Sequence, residues 1–184
     1  MKSTIKEKSV SITKESIVKE AKRLEENCLY TAKGHFAAAH FWTNFHLWIG
    51  IPTVILAAIA GTISFAQFAN HSLISGTLSI IVVVLTAIAT FLNPKERSGN
   101  YLSSGNNYDS LQSRIRIFWS IECRKENSDN LLTDKLKDLS EERDRLNRDC
   151  PQVPKLAYLK AKKGIEDGES IFEVDVSPDI NNTE

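Results

Sequence analysis

Apolar residues recur along this chain in two ways. From Ile17 they return every three or four positions, at Ala21, Leu24, Cys28 and then Thr31 or Ala32. That is the period of one helical face, and it predicts an amphipathic helix over residues 15–43. Further on, Tyr101, Tyr108, Leu111, Ile115, Phe118 and Glu122 follow steps of 7, 3, 4, 3 and 4. Leu132, Leu136, Leu139, Arg143 and Leu146 continue with 4, 3, 4 and 3. These heptad-like seams predict helices over residues 95–150 and favour helix–helix packing or self-association. Asn127-Ser128-Asp129-Asn130 reads as a turn in which Asp129 or Asn130 caps the next helix, and Pro151 and Pro154 end that helix.

Between the two patterned regions the periodicity vanishes. Gly34 to Pro94 is 61 residues long without one Asp, Glu, Lys or Arg, where average composition would supply about 15. Two stretches within it, residues 45–68 and 72–92, exceed the roughly 20 residues that cross a hydrocarbon core of about 30 Å. Ala69, Asn70 and His71 leave only a tight turn between them, so they read as a helical hairpin. A hairpin buried in a soluble protein is the alternative, but the flanking chain is too small to wrap both helices. The expected fold class is therefore all-α: an integral membrane protein with a two-helix transmembrane hairpin flanked by cytoplasmic amphipathic helices.

The hairpin carries its own pattern. Gly50, Thr53, Ala57, Gly61 and Ser64 fall on one face, and a small-xxx-small pair such as Ala57/Gly61 lets helices approach closely in lipid. They are the expected helix-packing residues. On the second helix Gly76, Ser79, Val83, Thr86, Thr90 and Asn93 share a face. Ser79, Thr86, Thr90 and Asn93 are candidate pore-lining residues, unless their hydroxyls simply bond the carbonyl four residues back. Pro52 either kinks the first span or sits in its first turn.

Charge sets the expected orientation. The 23 basic and 23 acidic residues cancel, but unevenly. Residues 1–33 hold eight bases and five acids, residues 95–163 hold fifteen and eleven, and the stretch from Gly164 onward holds seven acids and no base. The bases flank the hairpin and are missing from its tip. The positive-inside rule then puts both termini in the cytoplasm. Phe41, Trp42, Phe45 and Trp48 at one boundary, with Phe65 and Phe68 at the other, suit interfacial belts. A basic surface beside the membrane meets anionic headgroups or binds an anionic small molecule such as a nucleotide, or simply sets topology. Residues 1–14 read as a flexible N-terminus without a signal-peptide core. Residues 151–184 read as a C-terminal segment with a disordered acidic tail, relieved only by a short strand pattern at Ile171–Val176.

Enzyme signatures are missing: no phosphate-binding loop, dinucleotide fingerprint, zinc-protease helix or nucleophile elbow occurs. Cys28, Cys123 and Cys150 are odd in number and contain no CxxC, which suggests reduced thiols. His35, His40 and His46 have the wrong spacing for metal ligands on one helix face and no acidic or thiol partner. Asp109, Glu122 and Asp138 stand alone on their helices. No catalytic residue, cofactor or metal is expected, and no nucleic-acid partner. Because the spans carry no ionisable group, a coupled transporter is a poor fit, and a single hairpin must oligomerise to conduct.

Ala21-Lys22-Arg23-Leu24-Glu25-Glu26-Asn27, the aromatic approach around Trp42, and IGIPTVILAAIAGT at Ile49–Thr62 together resemble the SLATT domain. So do Asn93-Pro94, Arg97, Tyr101, Gly105, Tyr108, Leu111 and Arg114-Ile115-Arg116-Ile117-Phe118 after the second span. The resemblance covers roughly residues 15–150. It implies a two-transmembrane effector of bacterial antiviral systems, at the inner membrane, which forms pores or disrupts the bilayer when infection is sensed. It further implies homo-oligomers and a sensor or second-messenger synthetase encoded nearby, with a cyclic nucleotide as one trigger. Tyr101, Tyr108, Arg114, Arg116 and Phe118 would be cytoplasmic gating or packing positions. The competing expectation is a membrane-anchored adaptor whose cytoplasmic helices recruit a partner protein; a membrane enzyme has the least support.

Overall fold

A computed structural model describes residues 2–66, 69–126 and 128–169, with side chains from Lys14 onward. Every element among them is helical: α1 Lys2–Ser64, α2 His71–Leu92, α3 Pro94–Ile117, a π-helical turn Phe118–Glu122, α4 Cys123–Lys125, α5 Asp129–Asp149 and α6 Lys155–Glu166. They divide into two compact units. One combines Met1–Ala37 with Leu102–Glu184, and the other is Ala38–Tyr101.

Where a cytoplasmic helix and a first span were expected separately, the chain forms one helix, α1, of 63 residues. Nothing between residues 15 and 45 breaks it, since the charged and apolar stretches are both helix-permissive. Its start at Lys2 lies inside the segment read as a flexible N-terminus, where the Lys-, Glu- and Ser-rich sequence holds no Gly or Pro. Pro52 falls well inside the helix, beyond any first turn, and α1 continues through it. The helix closes at Ser64 with two tight turns, Phe65 N–H to Thr62 O at 3.2 Å and Ala66 N–H to Ile63 O at 3.0 Å. Asn70 precedes α2 in the left-handed region, φ 66°, a conformation asparagine tolerates.

The boundary between α2 and α3 is set by Asn93-Pro94. Proline disfavours right-handed helix at the residue before it, and Asn93 adopts φ 43°. Pro94 then opens α3 at the position where its missing N–H costs nothing. Arg97 reaches back to donate from Nε to the Leu92 carbonyl at 2.8 Å, a cation satisfying a helix C-terminus.

In the first unit the expected seams pack on each other. Ile17, Ala21, Leu24, Cys28 and Ala32 of α1 share one core with Tyr108, Leu111 and Ile115 of α3, Phe118 of the π turn, and Leu132 and Leu139 of α5. Of the two uses open to these seams, the buried residues serve packing within the chain. One step departs from the pattern. The residue after Phe118 that turns inward is Cys123, five positions on, because the π turn adds a residue to the repeat. Glu122, expected in the seam, is displaced to the rim and paired with Lys135 of α5. Asp129 is the first residue of α5 and Ser128 is its cap position.

The chain after Pro151 is not wholly tail. Pro154, extended at φ −60°, precedes the twelve-residue helix α6, whose Ala157 and Ala161 are buried. A left-handed Gly168 closes it, with Gly168 N–H to Ile165 O at 3.1 Å and Glu169 N–H to Gly164 O at 3.0 Å. The strand pattern at Ile171–Val176 and the acidic stretch beyond lie outside the described residues.

Candidate functional site

The second unit is built around α2 and the last part of α1, two helices long and apolar enough to cross a membrane. A soluble core helix of that composition would be covered by neighbours. Here Trp48, Ile51, Val54 and Ile55 of α1 are exposed, as are Leu73, Ile80, Val83 and Val84 of α2. The rings near the two ends are the most open, with Phe65 89% and Phe91 87% exposed.

Within the hairpin the less exposed positions include Gly50, Thr53, Leu56, Ala60 and Ile63 of α1, and Ser75, Leu78, Val82, Leu85, Ala89 and Leu92 of α2. Both sets step by three and four, so these are the faces the helices present to each other. Near the tip a polar clasp joins them. Ser64 Oγ and Ser75 Oγ lie 2.9 and 3.2 Å from the Ala60 carbonyl and 2.5 Å from each other, so one hydroxyl donates to the carbonyl and the other to its partner hydroxyl. Ser75 was not singled out from the sequence, and inside an apolar run only its position opposite Ser64 would have marked it.

The expected packing face is therefore split. Thr53 and Ser64 face the hairpin partner, whereas Ala57 and Gly61 are exposed. A Cβ built on Gly50 or Gly61 would meet nothing within 4 Å. Gly50 also lines an open groove of about 380 Å³ with His46, Leu47, Ile51, Val54 and Ile55. Between α1 and α2, Ala60 and Ser75 are the buried positions, with Leu56, Leu78, Val82 and Leu85 half-buried around them.

The candidate pore-lining residues also face outward. Thr86 and Thr90, with Val82, Val83, Ala87 and Phe91, line an open groove of about 610 Å³ on α2. Each hydroxyl is satisfied by its own helix: Ser79 to Ser75 O at 2.9 Å, Thr86 to Val82 O at 2.8 Å and Thr90 to Thr86 O at 2.9 Å. This is back-bonding, and it leaves the oxygens' second lone pairs facing out. Asn93 is drawn away to Glu96, whose carboxylate accepts from its side-chain amide.

The base of the hairpin is held to the start of α3. Ser98 Oγ donates to Ala39 O at 3.0 Å and sits 2.7 Å from Thr43 Oγ, while the Arg97 guanidinium lies 5.0 Å from the centre of the Trp42 ring. Tyr101, half-buried, ends this unit.

The remaining expected positions belong to the helical core of the first unit. Tyr108 is buried, stacks on His35 and donates to Asn147 Oδ1 at 2.6 Å. Burial pushes its phenol up to about 12 and holds the His35 imidazole down, at about 4. Arg114 grips both carboxylate oxygens of Glu142 at 2.7 and 2.6 Å, tying α3 to α5. Phe118 is buried, and the carbonyl of half-buried Arg116 accepts from Ser120 Oγ at 2.6 Å. A cluster unseen in the sequence centres on Glu25, which accepts from Trp119 Nε1 at 2.5 Å and Gln112 Nε2 at 2.9 Å, with Lys22 4.4 Å above the Trp119 ring. The three cysteines are free, and burial raises the thiols of Cys28, to about 12, and of Cys123. Tyr108, His35, Cys28 and Cys123 are enclosed by the bundle, and the Arg114–Glu142 pair ties its helices at the surface.

No protein-family model, curated protein or solved structure matches this chain.

Proposed function

We propose that this protein is a membrane effector that oligomerises through its hairpin and opens a leak when a signal repacks its helical bundle. The observation that carries the reading is the hairpin's outward surface, on which Trp48, Ile51, Val54, Leu73, Ile80 and Val83 and the rings of Phe65 and Phe91 are exposed. Such a surface needs lipid or another copy against it. Two helices cannot enclose a passage, and their mutual face is filled by Leu56, Leu78, Val82 and Leu85, so any pathway lies between copies. The grooves at Gly50 and at Thr86/Thr90 are the places for a neighbouring hairpin. Basic residues on both flanks favour termini in the cytoplasm of a bacterium, with the tip crossing the plasma membrane. The resemblance to SLATT domains supplies the antiviral context, with a nearby sensor or synthetase providing the trigger.

Dye release from vesicles containing the purified chain tests this, with and without a panel of cyclic oligonucleotides. Release with one nucleotide identifies a ligand-gated effector, and constitutive release identifies one restrained by another protein. Intact vesicles under every condition, in a chain shown to be inserted, would overturn the leak and favour an adaptor.

A further inference from the structure

The membrane reading of the hairpin leaves the exposed apolar face of α6 unexplained. Leu156 on α6 is 82% exposed, the most open large aliphatic side chain among the described residues of its unit, and Leu159 one turn later is half-exposed. At 100° per residue these two point away from Ala157 and Ala161, which anchor the helix to the bundle. Lys155, Lys160 and Lys163 flank them and are also exposed, while Lys162 stands 3.7 Å from Glu166 at the helix end. Four lysines against one glutamate give the helix a charge of +3.

We propose that α6 is an interfacial contact, laying Leu156 and Leu159 among the headgroups of an anionic bilayer while its lysines bind the lipid phosphates. The inference rests on the membrane reading of the hairpin. Charge complementarity selects the occupant: the lysines border the leucines on both sides, where their stems can lie along apolar surface and their ammonium groups reach phosphate. Sequence placement agrees. Val153, two residues before α6, packs at Gly34, where a Cβ would come within 2.9 Å of it. Gly34 is also the first residue of the charge-free stretch. A twelve-residue helix with two leucines would bind a bilayer poorly by itself. Tethering to an inserted hairpin makes the contact intramolecular and removes that objection.

The test uses the full chain carrying L159C and C150S, labelled with an environment-sensitive fluorophore; Cys28 and Cys123 are buried. It is reconstituted in phosphatidylcholine vesicles with and without phosphatidylglycerol. With the anionic lipid, iodide quenching at position 159 should fall about threefold. Adding K155S, K160S and K163S should restore it. Vesicle flotation after carbonate treatment reports the hairpin separately. A chain that floats but shows no lipid-dependent change at 159 overturns the α6 contact alone, whereas one that fails to float overturns both readings. A probe already shielded in detergent, and freed in a chain ending at Glu169, would assign the face to residues 170–184 instead.

Discussion

The imidazole of His35 lies on the phenol ring of Tyr108, centroids 5.4 Å apart and planes 16° from parallel. The stack joins α1 to α3 inside the bundle, and burial keeps the imidazole neutral, with its pKa near 4 instead of 6.5. The folded protein therefore resists a proton that the unfolded chain accepts. Stability from this site is complete above pH 6.5 and is lost as the pH falls from there toward 4, by about 1.4 kcal/mol per unit within that window. Melting temperatures between pH 7.5 and 5 should fall in the native chain and much less in His35→Phe. Equal falls in both would assign the dependence to other groups.

Two glycines of α3 should respond oppositely to substitution. A Cβ on Gly105 would lie 2.7 Å from the Phe36 ring, whereas one on Gly99 would meet nothing within 4 Å. Gly99→Ala should stabilise by about 0.5–1 kcal/mol through helix propensity alone. Gly105→Leu should destabilise by about 1–3 kcal/mol, because the ring and the helix behind it must move. Denaturation of the two variants in matched detergent reads both signs, and a Gly105→Leu chain as stable as the native would refute the close approach.

The hairpin separates intrachain from interchain packing. Ser75→Ala removes one hydroxyl of the clasp at the Ala60 carbonyl and should cost about 0.5–1.5 kcal/mol. Gly61→Leu points into open space and should leave the single chain's stability unchanged while weakening any oligomer. Unfolding in mixed micelles measures the first effect, and sizing in mild detergent the second. An oligomer indifferent to Gly61→Leu counts against the small-residue face as its interface.

For the leak itself, Thr86→Leu combined with Thr90→Val should preserve insertion and reduce dye release severalfold, since both hydroxyls border the same outward groove. Undiminished release from the double variant would place any pathway elsewhere.

How much of this was legible beforehand depended on contrast between apolar and polar positions. Where the two alternate, as from Ile17 to Ala32 and from Tyr108 to Phe118, the spacing named the core residues. Contrast is lost inside the hairpin, where nearly every position is apolar, so no period separates the face turned to the partner helix from the outward one that carries Ala57 and Gly61. At the π turn a charge in the seam, Glu122, was the available warning that the repeat had slipped to Cys123. Helix α6 is masked in the sequence by Pro151 and Pro154, because proline ends one helix and equally precedes the next. The ties from Glu25 to Trp119 and Gln112 join residues 94 and 87 positions apart, and no local pattern encodes them.

The hydroxyls of Thr53, Thr62, Thr77, Ser79, Thr86 and Thr90 all donate to carbonyls four residues back in their own helix. None needs a neighbouring chain to complete its bonding. On the membrane reading, a newly made hairpin can thus enter the bilayer alone and wait there, and meeting other copies becomes a later event. Insertion and any later association of copies are then separable steps, because the hydroxyls that could bridge two hairpins are already satisfied within one.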